Sequence, residues 1–99
     1  MFNNTKYLTQ SVKFKLPYEL QAVIWKAIDK VDVPIDCLQI FRLEVEGKYQ
    51  VVSHEQRIPK YSKTYKFKTD NPVETEVYVI DNYSYSIMIL AKSIDLGDR

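Results

Sequence analysis

The segment at residues 16–29, LPYELQAVIWKAID, most constrains how this chain can fold, because it is the one stretch with a convincing helical period. An α-helix turns about 100° per residue, so apolar residues spaced three and four apart gather on one side. Such a stripe is formed by Leu20, Val23, Ile24, Ala27 and Ile28. The stripe predicts a helix that covers a sheet, with Pro17 as its first helical residue and an end near Lys30, before Pro34.

Most of the remaining chain alternates apolar and polar residues, as strands with one buried face do. Residues 6–15 indicate a half-buried strand, since Val12 and Phe14 alternate with Lys13 and Lys15. Further strands are predicted at residues 35–46, 49–58, 60–68, 74–80 and 85–91. We therefore expect a single α+β domain over residues 1–99, with a mostly antiparallel sheet of five to six strands and one main helix packed across one face. The polar tail at residues 95–99 is expected to fray.

The register of the hairpin around Gly47 stays open, because a slip of one residue inverts the face of every side chain. A two-residue loop at Gly47 and Lys48 places on the core face Gln50, Val52 and His54. A three-residue loop instead places there Tyr49, Val51 and Ser53.

The run IMILA at residues 87–91 is apolar on both faces, which is typical of a central strand covered above and below. A single helix covers only one face of a sheet. The other face therefore needs cover from a loop, from sheet curvature or from another molecule.

Charge and cysteine content bound the compartment and the class of partner. Fourteen basic and thirteen acidic residues leave a net charge of +1, which gives no overall attraction to nucleic acid or to an anionic membrane. The single cysteine, Cys37, cannot form an internal disulfide, which suits a reducing compartment. No signal peptide or membrane span is apparent, so we expect a cytoplasmic protein without a membrane partner.

Catalytic patterns are weak. His54 and Glu55 are adjacent, but neighbours on a strand point to opposite faces and would not form an acid–base pair. One histidine, one cysteine and two glycines supply neither a metal-ligand set nor a phosphate-binding loop. We therefore predict a protein that is not an enzyme, with no catalytic residues, no cofactor and no metal.

Residues 57–68, RIPKYSKTYKFK, combine five basic residues with interleaved aromatic ones and contain no acidic residue. Lysines can follow a phosphate backbone while aromatic rings stack on bases, so this composition is typical of a surface for single-stranded nucleic acid. The candidate residues are Arg57, Lys60, Tyr61, Lys63, Tyr65, Lys66 and Lys68. The alternative is an edge strand that lysines protect from pairing with other chains.

Tyr18 and Trp25 lie seven residues apart, on one side of the predicted helix and away from its core stripe. Because Tyr and Trp are enriched at binding hot spots, this pair is the candidate site for a protein partner. The alternative is that the amino-terminal segment or the carboxy-terminal tail packs over Trp25.

Scattered motifs over nearly the whole chain resemble a small Gram-positive bacterial family, domain of unknown function number 960. The motifs are YLTQSV, LPYELQ with Trp25 and AID, LQIF, SHEQ with Pro59 and Tyr61, VYVID and IMILA. The resemblance implies a cytoplasmic protein of bacteria and their mobile elements and transfers no active site.

Three functions follow as expectations. The first is a non-enzymatic protein-interaction module, with self-association as a homodimer as one form of it. The second is binding of single-stranded nucleic acid. The third, which only the resemblance suggests, is inhibition of a host defence complex.

Overall fold

A computed structural model describes residues 1–92, which form a six-stranded sheet and two helices. The elements in chain order are β1 (Thr5–Leu8), α1 (Gln10–Lys15), α2 (Tyr18–Asp29), β2 (Leu38–Glu46), β3 (Tyr49–Gln56), β4 (Tyr61–Lys68), β5 (Thr75–Asp81) and β6 (Tyr85–Leu90). The strand order is β1-β6-β5-β2-β3-β4, in which β1 runs parallel to β6 and the other neighbours are antiparallel. The predicted α+β class and mostly antiparallel sheet are confirmed, whereas the tail at residues 95–99 lies outside the described part.

The predicted core stripe of α2 faces the sheet. Four of its members are buried and Val23 is half-buried, and all five belong to one hydrophobic core with side chains of the sheet. Pro17 is not the first helical residue but the residue before it, with an extended ψ of 151°. The side-chain amide of Gln21 donates to the Leu16 carbonyl oxygen at 2.9 Å, which steadies this helix start in place of a side-chain cap.

The prediction of a single helix was wrong, because residues 10–15 form a second, short helix instead of a strand. The Thr9 hydroxyl accepts a hydrogen bond from the Val12 backbone N–H at 3.3 Å, so a local cap starts the helix where alternation indicated a strand. Val12 of this helix and Leu16, which caps its carboxyl end, are four residues apart and both buried, while Phe14 is 82% exposed. Val12 and Phe14 therefore do not share a buried face.

The hairpin between β2 and β3 has the two-residue loop. Glu46 lies opposite Tyr49, and Gly47 adopts a left-handed φ of 63°, which glycine reaches without steric cost. The residues placed on the core face by this register are buried: Gln50, Val52 and His54.

The amino-terminal segment is tied to the far end of the chain. Asn4 Nδ2 donates to Asp81 Oδ1 and Ser86 Oγ donates to Asn4 Oδ1, both at 2.6 Å. Although burial favours the protonated acid, hydrogen bonds from Asn4, Ser86 and two backbone N–H groups hold the pKa of Asp81 below its ordinary value. Phe2 inserts into the core beside this network and is 3% exposed.

Both α1 and α2 contribute to the core on one side of the sheet, so neither of these two helices covers its other side. We call this side the open sheet face. On β1, β2, β5 and β6 its apolar residues are Tyr7, Leu38, Ile40, Tyr78, Ile80, Tyr85, Ile87 and Ile89, and the polar Thr5 and Glu76 lie on the same face. Met88 of β6 is fully buried on the helix side, whereas Ile87 and Ile89 are half-buried on the open face.

Neither α1 nor α2 has the length and apolar character that crossing a bilayer requires, and the same holds for every helical turn within residues 1–92.

Candidate functional site

A groove separates the outer side of α2 from strand β1 and encloses a cavity of about 400 Å³. Its lining residues come from these two elements: Lys6, Leu8, Tyr18, Gln21, Ala22, Trp25 and Lys26. We call it the α2–β1 groove. The structure therefore brings together Tyr18 and Trp25, the two residues that the sequence indicated as candidates for partner binding.

Four lining residues lie on one side of α2 because their spacing follows the helical repeat. Tyr18, Gln21, Ala22 and Trp25 stand at positions i, i+3, i+4 and i+7. Tyr18 is 85% exposed, whereas Trp25 is half-buried because it packs against the hydrophobic core. The groove thus presents one free aromatic ring and one anchored ring.

Lys6 forms part of the opposite wall and reaches over the indole. Its Nζ lies 5.6 Å from the centroid of the Trp25 ring, within the range of a cation–π interaction, and donates to the Phe2 carbonyl oxygen at 3.1 Å. The amino-terminal segment therefore covers Trp25 in part, through one flexible side chain. The rest of the indole edge remains accessible from the groove.

The groove carries positive charge without a neutralising carboxylate. Lys6 and Lys26 are its charged lining residues, and no acidic side chain among residues 1–92 lines it. Within the same residues the ion pairs are Arg42 with Glu76 and Lys66 with Glu46. Neither groove lysine is thus neutralised by a carboxylate of the described chain, and their charge favours an anionic group of a partner.

Among residues 1–92, strand β1 lies at an edge of the sheet and is paired with β6 on one side only. The backbone N–H of Thr9, just after the strand, donates to the Met88 carbonyl oxygen at 3.2 Å. Because backbone groups alternate in direction along a strand, Tyr7 also faces β6, whereas the N–H and C=O groups of Lys6 and Leu8 point away from the sheet. The wall of the groove is therefore also a free strand edge.

Sequence reasoning missed five of the seven lining residues. The helical repeat could have added Gln21 and Ala22 to the predicted pair, since both belong to the same side of α2. Nothing local could have added Lys6 and Leu8. Their position depends on parallel pairing with β6, about eighty residues later in the chain.

His54 lies inside the core instead of at a surface. Its ring is 1% exposed and stacks on Phe41, with centroids 4.3 Å apart and planes at 11°. His54 Nε2 meets Gln39 Oε1 at 2.6 Å, and Gln39 Nε2 donates to Gln56 Oε1 at 2.7 Å. Glu55 is exposed on the opposite face, so the two adjacent residues do not form a direct pair.

The hydrogen bonds fix the tautomer of His54, and burial of the ring sets its charge. Because Gln39 donates through its amide nitrogen to Gln56, its oxygen accepts, and His54 Nε2 therefore carries the proton. His54 Nδ1 is buried without a hydrogen-bond partner among the described residues. Burial lowers the pKa of His54 from 6.5 to about 4, so the ring is neutral at physiological pH.

The predicted nucleic-acid segment is divided between the two faces of edge strand β4. Tyr61, Tyr65 and Phe67 alternate on the helix side, where all three are half-buried. Lys63 is on that same side, with its Nζ 5.6 Å from the Tyr65 ring centroid. The rings that would have to stack on bases are thus partly occupied by the protein's own packing.

The remaining basic residues of that segment point elsewhere. Lys66 and Lys68 lie on the open sheet face, and Lys66 forms an ion pair with Glu46. Arg57 and Lys60 are exposed in the turn between β3 and β4. The structure therefore does not gather the seven predicted residues into one surface, and nucleic-acid binding stays a prediction.

Comparisons with known proteins bear on family and fold. The model of a family described as "Staphylococcal protein of unknown function (DUF960)" matches residues 5–93. A crystal structure of a protein of unknown function from Enterococcus faecalis aligns with a TM-score of 0.79 at 19% identity, covering 91% of this chain and 90% of that one. It shows the fold alone at this identity. No curated protein matches.

Proposed function

This chain belongs to the staphylococcal DUF960 family, and we propose that it is a non-enzymatic protein-interaction module that binds a protein partner through the α2–β1 groove. The observation that carries the proposal is the meeting of Tyr18 and Trp25 in one cavity of about 400 Å³. Aromatic side chains in such a recess are the usual anchors of binding energy at protein interfaces. The binding face is the side of α2 that the core does not use.

The exposure of Tyr18 supports an interface. A tyrosine that is 85% exposed leaves much apolar ring area in water, and covering apolar area contributes roughly 25 cal/mol per Å². Trp25 beside it is already held in place by the core and by Lys6, so binding would cost little side-chain entropy. A free ring beside a fixed ring is a suitable arrangement for a hot spot.

The position of His54 supports a role other than catalysis. Catalytic histidines need access to substrate and a pKa near the working pH. This one is enclosed by Phe41 and Gln39 and is neutral at physiological pH because burial lowers its pKa. Its hydrogen bonds serve the interior of the sheet.

The test is capture of partners from host lysate on immobilised protein, followed by mass spectrometry. We expect Trp25→Ala and Tyr18→Ala to lose the partners that the native protein retains by at least about tenfold. The matched control is Tyr83→Asn, which removes a tyrosine that is 81% exposed outside the groove and keeps a residue that tolerates its positive φ of 77°. Equal retention by all three variants would contradict the proposed binding surface.

A second surface, the open sheet face, supports self-association as a further form of the same function. Tyr7 and Tyr85 contact edge to face on it at 5.3 Å, beside the half-buried Ile87 and Ile89. Joining two such faces would bury a continuous apolar area. Sedimentation velocity over a range of concentrations should show a dimer that Ile89→Thr weakens, and a strict monomer at every concentration would rule out self-association.

A further inference from the structure

We propose that the free edge of β1 accepts an extended peptide as an added strand, and that this peptide carries one acidic and one aliphatic side chain, two residues apart, into the α2–β1 groove. The inference rests on the proposed interaction function and specifies the form and chemistry of the partner. Strand addition to an exposed sheet edge is a general mode of peptide recognition, in which backbone bonds give affinity and pockets give selectivity.

The backbone of β1 supplies the hydrogen-bonding template. Lys6 and Leu8 direct their N–H and C=O groups away from β6, since Thr9 bonds to Met88 and directions alternate. Three of the four side chains of β1 are exposed, namely Thr5, Lys6 and Tyr7. A peptide lying alongside could therefore form backbone hydrogen bonds to two residues of β1.

The side chains of β1 set the sequence that the peptide should have. Lys6 lies opposite Ser86 and Leu8 opposite Met88, both buried on the helix side, so these two side chains face the groove. Cross-strand partners lie on the same face, so the peptide places an acidic residue opposite Lys6 and an aliphatic residue opposite Leu8. The residue between them lies opposite Tyr7 on the open sheet face, where a β-branched side chain packs well.

Charge distinguishes this edge from the other edge of the sheet. Two lysines and no carboxylate line the groove, and neither lysine has an acidic partner within residues 1–92. At the opposite edge, β4 carries Lys63, Lys66 and Lys68 along exposed positions, and lysines on an edge disfavour strand pairing. An acidic–aliphatic strand is therefore expected at β1.

The probe is a capped peptide, Thr-Thr-Glu-Val-Leu-Thr-Thr, together with its reversed sequence, because the two orders match parallel and antiparallel addition. Trp25 is the single tryptophan of the chain, so its fluorescence reports binding in the groove directly. We expect a saturable change with one of the two peptides. Replacing Glu by Lys in that peptide should weaken binding by about threefold to tenfold.

Backbone N-methylation tests strand addition itself. In an added strand only alternate N–H groups point toward β1, whichever way the peptide runs. N-methylation of the alternate residues whose N–H groups point toward β1 should weaken peptide binding by at least about fivefold. N-methylation of the residues between them should leave binding nearly unchanged. Equal effects of both methylations would overturn the inference and leave the groove as a site for side chains alone.

Charge exchange on the protein tests the acidic specificity. Lys26→Glu should weaken binding of the glutamate peptide by about threefold to tenfold and should improve binding of the peptide in which Lys replaces Glu. The control is Lys13→Glu, an exposed lysine of α1 outside the groove, which should change neither. Because the peptide's acidic residue lies opposite Lys6, indifference of glutamate-peptide binding to both Lys26→Glu and Lys6→Glu would contradict the proposed ligand chemistry.

The inference and the function beneath it fail in distinguishable ways. If neither peptide binds while Trp25→Ala still abolishes retention of a lysate partner, strand addition is wrong and the interaction function stands. If neither peptide binds and neither Trp25→Ala nor Tyr18→Ala reduces retention of the lysate partner, strand addition and the interaction function are both wrong.

Discussion

Individual buried polar residues do much to fix the interior of this protein. The helix side of β3 carries Gln50, His54 and Gln56, positions where aliphatic residues would be expected. Gln50 bonds the backbone of Val73 in both directions, at 2.7 and 2.9 Å. Each side chain thereby satisfies buried groups that would otherwise be costly, which explains why polar residues are tolerated there.

His54 should make stability depend on pH in mildly acid solution. Its pKa is about 4 in the folded state and 6.5 as the ordinary value, so between these values the unfolded state binds more protons. Stability should therefore fall as the pH drops below 6.5, by roughly 2–3 kcal/mol near pH 4.5, and this contribution should level off below pH 4. Urea unfolding at pH 7 and pH 4.5 measures the difference.

The control for that measurement is His54→Gln, which keeps a nitrogen donor near Nε2 but does not titrate. The variant should lose most of the difference between the two pH values, whatever its stability at pH 7. If the free energy of unfolding changed equally between pH 7 and pH 4.5 in both proteins, groups other than His54 would cause the acid sensitivity. Asp81, whose pKa is lowered, contributes only at still lower pH.

At the level of elements, the sequence predicted well where burial repeats along the chain. Helix α2 and strands β2 to β6 could be located from their periods, because each buries one face against the same core. The segment at residues 10–15 could not, since six residues satisfy both a two-residue and a helical repeat. There the Thr9 cap decides the outcome, a local bond that alternation does not reveal.

Alanine substitutions in α1 should show whether residues 10–15 form a helix or the strand that alternation suggests. Val12→Ala should lower the free energy of unfolding by roughly 1–3 kcal/mol, because Val12 is fully buried. Phe14→Ala should change it by less than about 0.5 kcal/mol, since Phe14 is 82% exposed. Chemical denaturation measures both. Similar losses at the two positions would mean that they share a buried face.

The candidate site could be predicted in part. Tyr18 and Trp25 follow from helical geometry, which depends on residues close in sequence. The other wall of the groove depends on β1 pairing in parallel with the last strand of the described chain, and parallel pairing across a long separation leaves no local pattern. Alternation along β4 does place Tyr65 and Phe67 opposite Lys66 and Lys68, but it could not show that the aromatic face is the one that packs on the core.

The molecule as a whole carries a net charge of +1, and the basic residues of the segment at residues 57–68 are divided between the two faces of β4 and the turn before it. We therefore expect no gel shift with pooled RNA or single-stranded DNA at about 50 mM salt, because phosphate-driven binding requires several lysines or arginines acting together. A shift that weakened steeply with added salt and was lost in Lys63→Ala and Lys68→Ala would favour nucleic-acid binding instead. Asp32→Ala, an exposed change outside the segment, is the control.

The parallel pairing of β1 with β6 also bears on how the protein is made. The chain emerges from the ribosome at about 5–20 residues per second, so β1 waits roughly 4–16 s before residues 85–90 exist to pair with it. Until then β1 lacks β6, the strand that it pairs with among residues 1–92. The binding surface is therefore assembled last, so a nascent chain cannot engage a partner there before the sheet is complete.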